Sequence, residues 1–170
     1  MTGNAGLTFA GVALVLVVLW ANLRPWWKGD RDPTKLKSFG NGALLGALST
    51  MCAGGMLGWL AGCSAKTANT GGGKGVEAAT GKASEAAVTH GDLGQLTPEG
   101  AVIVFLITCG TIFAFRAASK DERKRMVGGI FCGVCLCLTA GVASALNFLP
   151  DLINQAGQVL KESVEGAGLL

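Results

Sequence analysis

The sequence predicts an all-α, polytopic membrane protein with four transmembrane helices, arranged as two hairpins and followed by a C-terminal amphipathic helix. Half of the 170 residues are apolar and only 15% are charged, and the mean hydropathy of +0.47 exceeds that of ordinary soluble domains. The charges are clustered, which leaves four charge-free tracts at residues 1–23, 38–65, 100–115 and 126–150. About 20 apolar residues in a helix span a bilayer core about 30 Å thick. None of the tracts shows the polar stripe of a helix in a soluble bundle.

The first hairpin is assigned to residues 1–65. Pro25 is expected to close its first helix, and Asp32-Pro33 turns the chain toward the second. The second helix is predicted to be continuous over residues 38–65. Tryptophans flank the hairpin ends, where amphipathic rings lie at the level of the lipid headgroups: Trp20, Trp26, Trp27 and Trp59.

Residues 66–98 are predicted to be a flexible external linker. This segment is rich in Gly, Ala, Thr and Ser and has no aromatic residue, so it cannot bury enough apolar surface to become ordered. Residues 76–88 allow at most a weak helix against a partner. His90, the only histidine, is interpreted as a solvated loop residue rather than as a metal ligand or a catalytic group.

The second hairpin, residues 99–150, repeats the topology of the first without a visible repeat of sequence. Its first tract is short, but Arg116 can extend toward the interface, so this tract also spans. Beyond Pro150, apolar residues recur at helical spacing through residues 151–170, with Asp151 as the cap. This amphipathic tail is predicted to lie along the outer membrane surface or against a neighbouring subunit.

The positive charges predict the orientation. Because Lys and Arg in short loops resist translocation, the two basic turns are expected in the cytoplasm of a bacterium, with both termini outside. Orientation alone is the preferred explanation of these turns. Anionic lipid is the alternative partner, and direct contact with nucleic acid is not expected. The basic residues are Arg24, Lys28, Arg31, Lys35 and Lys37 in the first turn, and Arg116, Lys120, Arg123, Lys124 and Arg125 in the second.

Small residues spaced four apart predict close packing of the second and fourth helices. Such spacing lets two backbones approach, and Asn41, Ser49 and Thr50 are candidate interhelical hydrogen-bond partners. We expect these contacts within the protein and between copies, and therefore a homo-oligomer. The packing glycines are Gly42, Gly46, Gly54, Gly58, Gly62, Gly129 and Gly133.

The sequence predicts no catalytic residue, no metal site and no cofactor. Cys132, Cys135 and Cys137 point in different directions around one helix with no histidine nearby, so apolar packing is their interpretation. The four tracts hold no ionisable residue suited to intramembrane chemistry. GGGKG at residues 71–75 lacks the strand and the Lys-Ser or Lys-Thr pair of a phosphate-binding loop.

Leu60-Ala61-Gly62-Cys63 raises the question of processing, because it matches the pattern recognised by lipoprotein signal peptidase. The predicted topology puts Cys63 outside and close to the membrane, where cleavage or lipidation is possible. An uncut helix end is preferred, because the site is internal and its residue types are common in this stretch.

Three functions fit these features. A non-enzymatic structural subunit of a bacterial membrane assembly is preferred, and the alternatives are a holin-like pore former and a pilin-like subunit released near Cys63. Hydroxyls available to line a pore are Ser49, Thr50, Thr108 and Thr111.

Two resemblances bear on the biological setting. The layout of residues 98–149, two apolar helices around a basic turn, resembles type IV secretion pilins. The whole Gly- and Ala-rich, four-span plan resembles small spread and transfer membrane proteins of actinobacterial plasmids. These resemblances imply DNA transfer or secretion as the setting, with other assembly subunits as partners.

Overall fold

The structure, a computed structural model, describes residues 6–29, 33–84 and 86–167, apart from the side chains of Thr34 and Lys35. Within these ranges the chain is helical and has no strand beyond two isolated backbone bridges. The helices are α1 Phe9–Lys28, α2 Pro33–Thr50, α3 Gly55–Thr80, α4 Pro98–Ala117, α5 Lys120–Cys137, α6 Ala140–Ala145 and α7 Phe148–Gly166.

The all-α prediction is confirmed, but four membrane spans are not. By length and composition, α1 and α4 can each cross a membrane. A third span is possible if α2 and α3 count together as one broken span, which gives two or three among the described residues.

The helices α1 and α4 begin in the same way. Thr8 and Thr97 precede them in extended backbone, and each threonine hydroxyl accepts a hydrogen bond at 3.1 Å from the N–H three residues later, at Gly11 and Gly100. Such caps satisfy backbone donors that have no partner inside the helix.

The prediction that Pro25 closes the first helix is wrong. Pro25 lies inside α1, which continues to Lys28. Proline removes one backbone donor, but here it lies so close to the helix end that only the last turn follows it.

The second apolar tract is not one continuous helix, as predicted for residues 38–65. α2 ends at Thr50, α3 begins at Gly55, and the two helices are bent by 104° relative to each other. Gly54 is extended, and Gly55 has a φ of 69°, in the left-handed region that residues with a side chain rarely adopt. These two glycines permit the sharp change of direction.

The prediction that residues 66–98 lack order is wrong as far as Thr80, where α3 ends. Gly81 terminates the helix in the left-handed conformation, and its N–H donates to the carbonyl of Glu77 at 2.7 Å. Ser64, Ala65, Ala68 and Gly72 are buried. The close approach of small residues therefore holds this helix against the rest of the molecule, although the segment has few large apolar side chains.

The fourth tract, predicted as one helix over residues 126–150, is also broken. Between α5 and α6 the carbonyl of Leu138 accepts from Gly91 N–H at 2.9 Å, and Ala140 N–H donates to the carbonyl of Thr89 at 3.1 Å. The irregular segment before α4 thus supplies the hydrogen bonds that a continuous helix would have made internally.

The predicted tail helix exists as α7, but it begins at Phe148 rather than at Asp151. Pro150 lies in its first turn, where the missing N–H costs little. The face that includes Ile153 and Gly157 is buried.

The centre of the molecule is a parallel pair formed by α2 and α5. Phe39 faces Gly129 and Ala43 faces Gly133, so the two helices run in the same direction. The starts of α2 and α5, and the basic turns that precede them, therefore lie at one end, which we call the basic end.

α1 runs antiparallel to α5. The Sγ of Cys132 lies 3.8 Å from the carbonyl oxygen of Val15, and Gly128 lies beside Asn22. α3 packs on the first turn of α1, and α7 packs on the first turn of α4. Each of these two contacts is surrounded by its own apolar cluster.

The chain is built from two repeats with the same order of long helices. α1 and α4 are both 20 residues long, and α2 and α5 are both 18 residues long. α3 in the first repeat corresponds to α6 and α7 in the second. α1 packs on α5 and α4 packs on α2, so each outer helix contacts the inner helix of the other repeat. These reciprocal contacts relate the two repeats by an approximate two-fold axis that passes through the α2–α5 contact.

Candidate functional site

Four of the predicted packing glycines lie at the α2–α5 contact. At each of them, a Cβ atom would overlap the backbone of the opposite helix. The small residues therefore allow the two helices to touch through their backbones, within a single chain. The opposing residues are Met126 for Gly42, Ile130 and Val134 for Gly46, Phe39 and Ala43 for Gly129, and Ala43 for Gly133.

The other three glycines, Gly54, Gly58 and Gly62, are not brought against another helix. A Cβ at Gly54 or Gly62 would meet no described atom within 4 Å, and one at Gly58 would meet the carbonyl of Cys52 across the bend. In the described part of the chain these glycines belong to the bend and to an open face of α3.

A polar contact that the sequence analysis missed joins α1 to α3. The Oδ1 of Asn69 accepts from the N–H of Thr8 at 2.8 Å and from its hydroxyl at 3.2 Å. The Nδ2 of Asn69 donates to the carbonyl of Gly6 at 2.9 Å. One turn further, Gly72 lies so close to Ala10 that a Cβ would overlap its carbonyl group.

The second repeat has the same contact between α4 and α7. The Oδ1 of Asn154 accepts from the N–H of Thr97 at 3.0 Å and from its hydroxyl at 3.2 Å, and its Nδ2 donates to the carbonyl of Gln95 at 3.4 Å. Gly157 lies against the backbone of Glu99, as Gly72 does against Ala10. We call these two contacts the latches.

The latches have a sequence signal that could have been found. Leu-Thr-x-x-Gly occurs at residues 7–11 and 96–100, and Asn-x-x-Gly at residues 69–72 and 154–157. Each pattern alone is common in a chain with 27 glycines. The two patterns indicate a repeat only when they are taken together.

The hydroxyl groups proposed for a pore are bonded to their own helices. Each donates to a carbonyl three or four residues earlier, at 2.6 to 2.8 Å. Such bonds satisfy the hydroxyl without a neighbouring helix or water. The pairs are Ser49 with Gly46, Thr50 with Ala47, Thr108 with Val104, and Thr111 with Ile107.

The cysteines of α5 pack in the interior. Cys132, Cys135 and Cys137 are buried, and the Sγ of Cys135 lies 3.7 Å from the carbonyl oxygen of Ser64. Among the described residues, no three His, Cys, Asp or Glu side chains are grouped so that they could hold a metal ion.

Cys63 lies in the interior of α3 and is partly exposed. Its neighbours Ser64 and Ala65 are buried, which ties this turn of the helix to the rest of the molecule. Cleavage at this point would require local unwinding of α3.

Aromatic rings accompany two arginines at the basic end. The guanidinium of Arg24 lies 5.0 Å from the ring centroid of Trp20, and that of Arg123 lies 5.6 Å from the ring of Phe115. Such cation–π contacts suit a membrane interface, where a ring can face the lipid and the cation the headgroups.

The other described basic residues of the two turns lie around the same end. Lys28, Lys37, Lys120, Arg116 and Lys124 are exposed, and Arg125 is partly exposed. Arg31 and the side chain of Lys35 lie outside the described residues.

The turn between α4 and α5 is held by a capping box. Ser119 N–H donates to Glu122 Oε2 at 2.8 Å, and Glu122 N–H donates to Ser119 Oγ at 3.4 Å. Hydrogen bonds from the side chain and then the backbone of Ser119 hold the pKa of Glu122 below its usual range. The carboxylate also lies at a helix N-terminus, where negative charge is favoured.

A cavity of about 510 Å³ opens at the bend between α2 and α3. Its lining includes Trp59, His90 and Asp92, and both His90 and Asp92 are exposed. The Oδ1 of Asp92 accepts from the N–H of Gly94 at 2.9 Å, which stabilises the loop. His90 pairs through its backbone with Thr139. This backbone pairing holds His90 in the loop.

The outer surfaces of α1 and α4 are apolar and exposed. In the most apolar stretch of each helix only 17% and 22% of the residues are buried. This is the surface expected of helices that face lipid, which supports the membrane location. The most exposed apolar side chains on these helices are Phe9, Val17, Trp20, Trp27, Phe105 and Phe113.

No family model, curated protein or solved structure matches this chain.

Proposed function

We propose that the chain is a non-enzymatic, oligomer-forming structural subunit of an assembly in the bacterial cytoplasmic membrane, serving DNA transfer or secretion, with both termini outside. The observation that carries the proposal is the exposed apolar surface of α1 and α4, of which about four fifths of the residues lie outside the core. Such a surface offers area for lipid and for neighbouring subunits, which a structural role requires.

The hydrogen bonds of the polar side chains also support a non-enzymatic role. In the described part of the membrane helices the hydroxyls bond to their own backbone and the latch asparagines bond within the chain. An intramembrane enzyme or ion-coupled transporter would instead hold polar and ionisable groups aimed at a common point.

The two alternatives are less well supported. A holin-like pore needs polar side chains that turn toward water, whereas the hydroxyls of Thr108 and Thr111 are used within α4. A pilin-like subunit released near Cys63 would lose α1, and with it the Thr8–Asn69 latch that holds α3.

Inducible expression of the full chain in a bacterium distinguishes these functions. Membrane potential is followed with a potential-sensitive dye, and the size of the complex is measured after chemical cross-linking in intact cells. A membrane protein of similar size, expressed from the same promoter, controls for overexpression stress. Intact-mass spectrometry of the extracted protein then reports its N-terminus.

A structural subunit leaves the potential at the level of the control, forms cross-linked species larger than a monomer, and retains residues before Cys63. An abrupt loss of potential would establish the holin-like function instead. A product that begins at Cys63 with lipid, or at Lys66, would establish processing and overturn the uncut subunit. A cross-linked population that stays monomeric would contradict oligomerisation.

A further inference from the structure

We propose that a groove at the basic end binds one anionic phospholipid, with part of an acyl chain between the helices and the phosphate at Arg116 and Arg123. This site requires only that the protein lies in a membrane and does not depend on the proposed assembly role.

The groove lies between α2, α4 and α5 and has a volume of about 320 Å³. That is near the lower end of the roughly 300–1,000 Å³ typical of ligand clefts, enough for part of one chain. Its walls are apolar except at one end, and Thr111 has its hydroxyl bonded to Ile107. The lining residues are Leu45, Thr111, Ile112, Phe115 and Ile130, with Arg116 and Arg123.

The apolar and cationic parts follow each other along the helix axes. On α5, Arg123 lies in the first turn and Ile130 lies seven residues further on, a rise of about 10 Å. On α4, Thr111 and Ile112 come before Arg116, which lies in the last turn. Both cations are therefore at the basic end of the groove, and the apolar lining extends from them into the membrane. A phospholipid has the same order of groups.

The charges at the mouth suit a phosphate. Arg123 donates through Nε to the carbonyl of Ala118 at 2.9 Å and through Nη2 to that of Arg116 at 2.8 Å, which fixes the guanidinium in position. A guanidinium has five N–H donors, so several remain for a ligand. Arginine pairs of this kind favour phosphate because each can donate two parallel hydrogen bonds.

The nearby carboxylates each have another partner. Glu122 is bonded to Ser119 in the capping box, and Asp121 lies 4.0 Å from Lys124 on the exposed side of α5.

The two-fold relation between the repeats shows that the arginine pair is specific to this groove. The positions that correspond to Arg116 and Arg123 in the first repeat are Trp27 and Leu36. Helix packing alone therefore does not require cations at these positions. Arg123 also holds the end of α4 through the carbonyls of Ala118 and Arg116.

Continuity with the lipid-facing surface favours a lipid over a soluble anion. Ile112 is 46% exposed and its neighbour Phe113 is 72% exposed, so the side of the groove merges with the outer surface of α4. A chain can enter from the bilayer without leaving an apolar environment. A free phosphate would occupy only the mouth and leave the apolar groove empty.

The test uses the purified full-length protein in a nonionic detergent, stripped of lipid. Native mass spectrometry counts bound lipid during titration with phosphatidylglycerol or with phosphatidylcholine carrying the same acyl chains. We expect one tightly bound phosphatidylglycerol and no comparable site for phosphatidylcholine. Inorganic phosphate, measured by competition, is expected to be a weak ligand.

Three variants separate the site from general attraction to positive charge. R116Q removes one cation and is expected to weaken phosphatidylglycerol binding about fivefold, in line with the contribution of one basic residue near an anionic surface. I112W fills the groove without changing the charge, and it should also weaken binding. R24Q, the matched control, removes an arginine at the same end but outside the groove, and it should bind like the wild type.

The proposal is overturned if R24Q loses as much binding as R116Q, because general electrostatic attraction would then explain the result. It is also overturned if inorganic phosphate competes fully at concentrations similar to those of the lipid, which would indicate an anion site without a chain. The buried cysteines of α5 report folding, since protection of Cys132 from alkylation must persist in every variant that is compared.

Discussion

The α2–α5 contact predicts that adding one methyl group has opposite consequences at two positions only two residues apart. At Gly42 a Cβ would overlap the carbonyl of Met126, whereas at Gly40 it would meet no described atom within 4 Å. Both glycines lie inside α2, so the change in helix propensity is the same for Gly42→Ala and Gly40→Ala. The difference between the two variants therefore isolates the cost of moving α2 away from α5.

The size of this cost follows from dispersion contacts. For ordinary contact at Gly42→Ala, the helices must separate locally by about 1 Å, which forfeits a quarter to a half of contacts worth about 0.1–0.2 kcal/mol each. With on the order of thirty atom pairs affected, the loss is about 1–3 kcal/mol, as in overpacked cores. Gly40→Ala should be neutral or stabilising by up to about 1 kcal/mol, because alanine favours a helix over glycine.

Equilibrium unfolding in mixed detergent micelles, followed by tryptophan fluorescence, measures both variants against the wild type. We expect Gly42→Ala to unfold at lower denaturant than Gly40→Ala, with alkylation of Cys132 rising in parallel. Equal stability of the two variants would refute the backbone contact. Gly42→Ala should also be coupled to Gly129→Ala, since both glycines separate the same pair of helices.

Three further results are expected. Asn69→Ala and Asn154→Ala should each destabilise the protein by about 1–3 kcal/mol, because the first leaves the donors of Thr8 and the second those of Thr97 without an acceptor. Gln155 is exposed, and the control Gln155→Ala should change the free energy of unfolding by less than about 0.5 kcal/mol. The lowered pKa of Glu122 means that its stabilising effect is present above the ordinary carboxyl pKa and is lost as the pH falls through the lowered value. The stability difference between wild type and Glu122→Gln should therefore shrink as the pH is lowered from neutral to below the ordinary carboxyl range. Alkylation of the native protein followed by intact-mass measurement should modify at most three of the six thiols, and all six after denaturation; protected thiols are Cys132, Cys135 and Cys137.

The outer helices could be predicted because their signals are local. α1 and α4 are apolar over their lengths, begin after a capping threonine and end in a basic turn. Each of these signals acts within a few residues, so the sequence contains it without reference to the rest of the chain.

The breaks could not be predicted, because they depend on partners distant in sequence. Leu138 and Ala140 leave the helical pattern where Thr89 and Gly91 pair with them, and nothing near residue 138 in the sequence indicates that pairing. At the other break, Gly54 resembled part of a packing motif with Gly58, although the backbone uses Gly54 and Gly55 for a change of direction.

The packing residues could be predicted only in part. The spacing of Gly42, Gly46, Gly129 and Gly133 indicated close approach, but it could not identify the partner, because the same spacing suits contact within a chain or between chains. The latches were missed because Thr8 and Thr97 were assessed as parts of separate helices rather than compared with each other. Comparison of the two halves would have paired them.

Distances between spin labels in proteoliposomes test the parallel arrangement of the two repeats most directly. Labels at Lys37 and Lys124, exposed and near the starts of α2 and α5, are expected to lie closer together than labels at Lys37 and Thr139, beyond the far end of α5. In the parallel pair the second distance includes most of the length of α5, about 1.5 Å per residue. If the Lys37–Thr139 distance is instead the shorter one, α2 and α5 are antiparallel and the equivalence of the repeats is disproved.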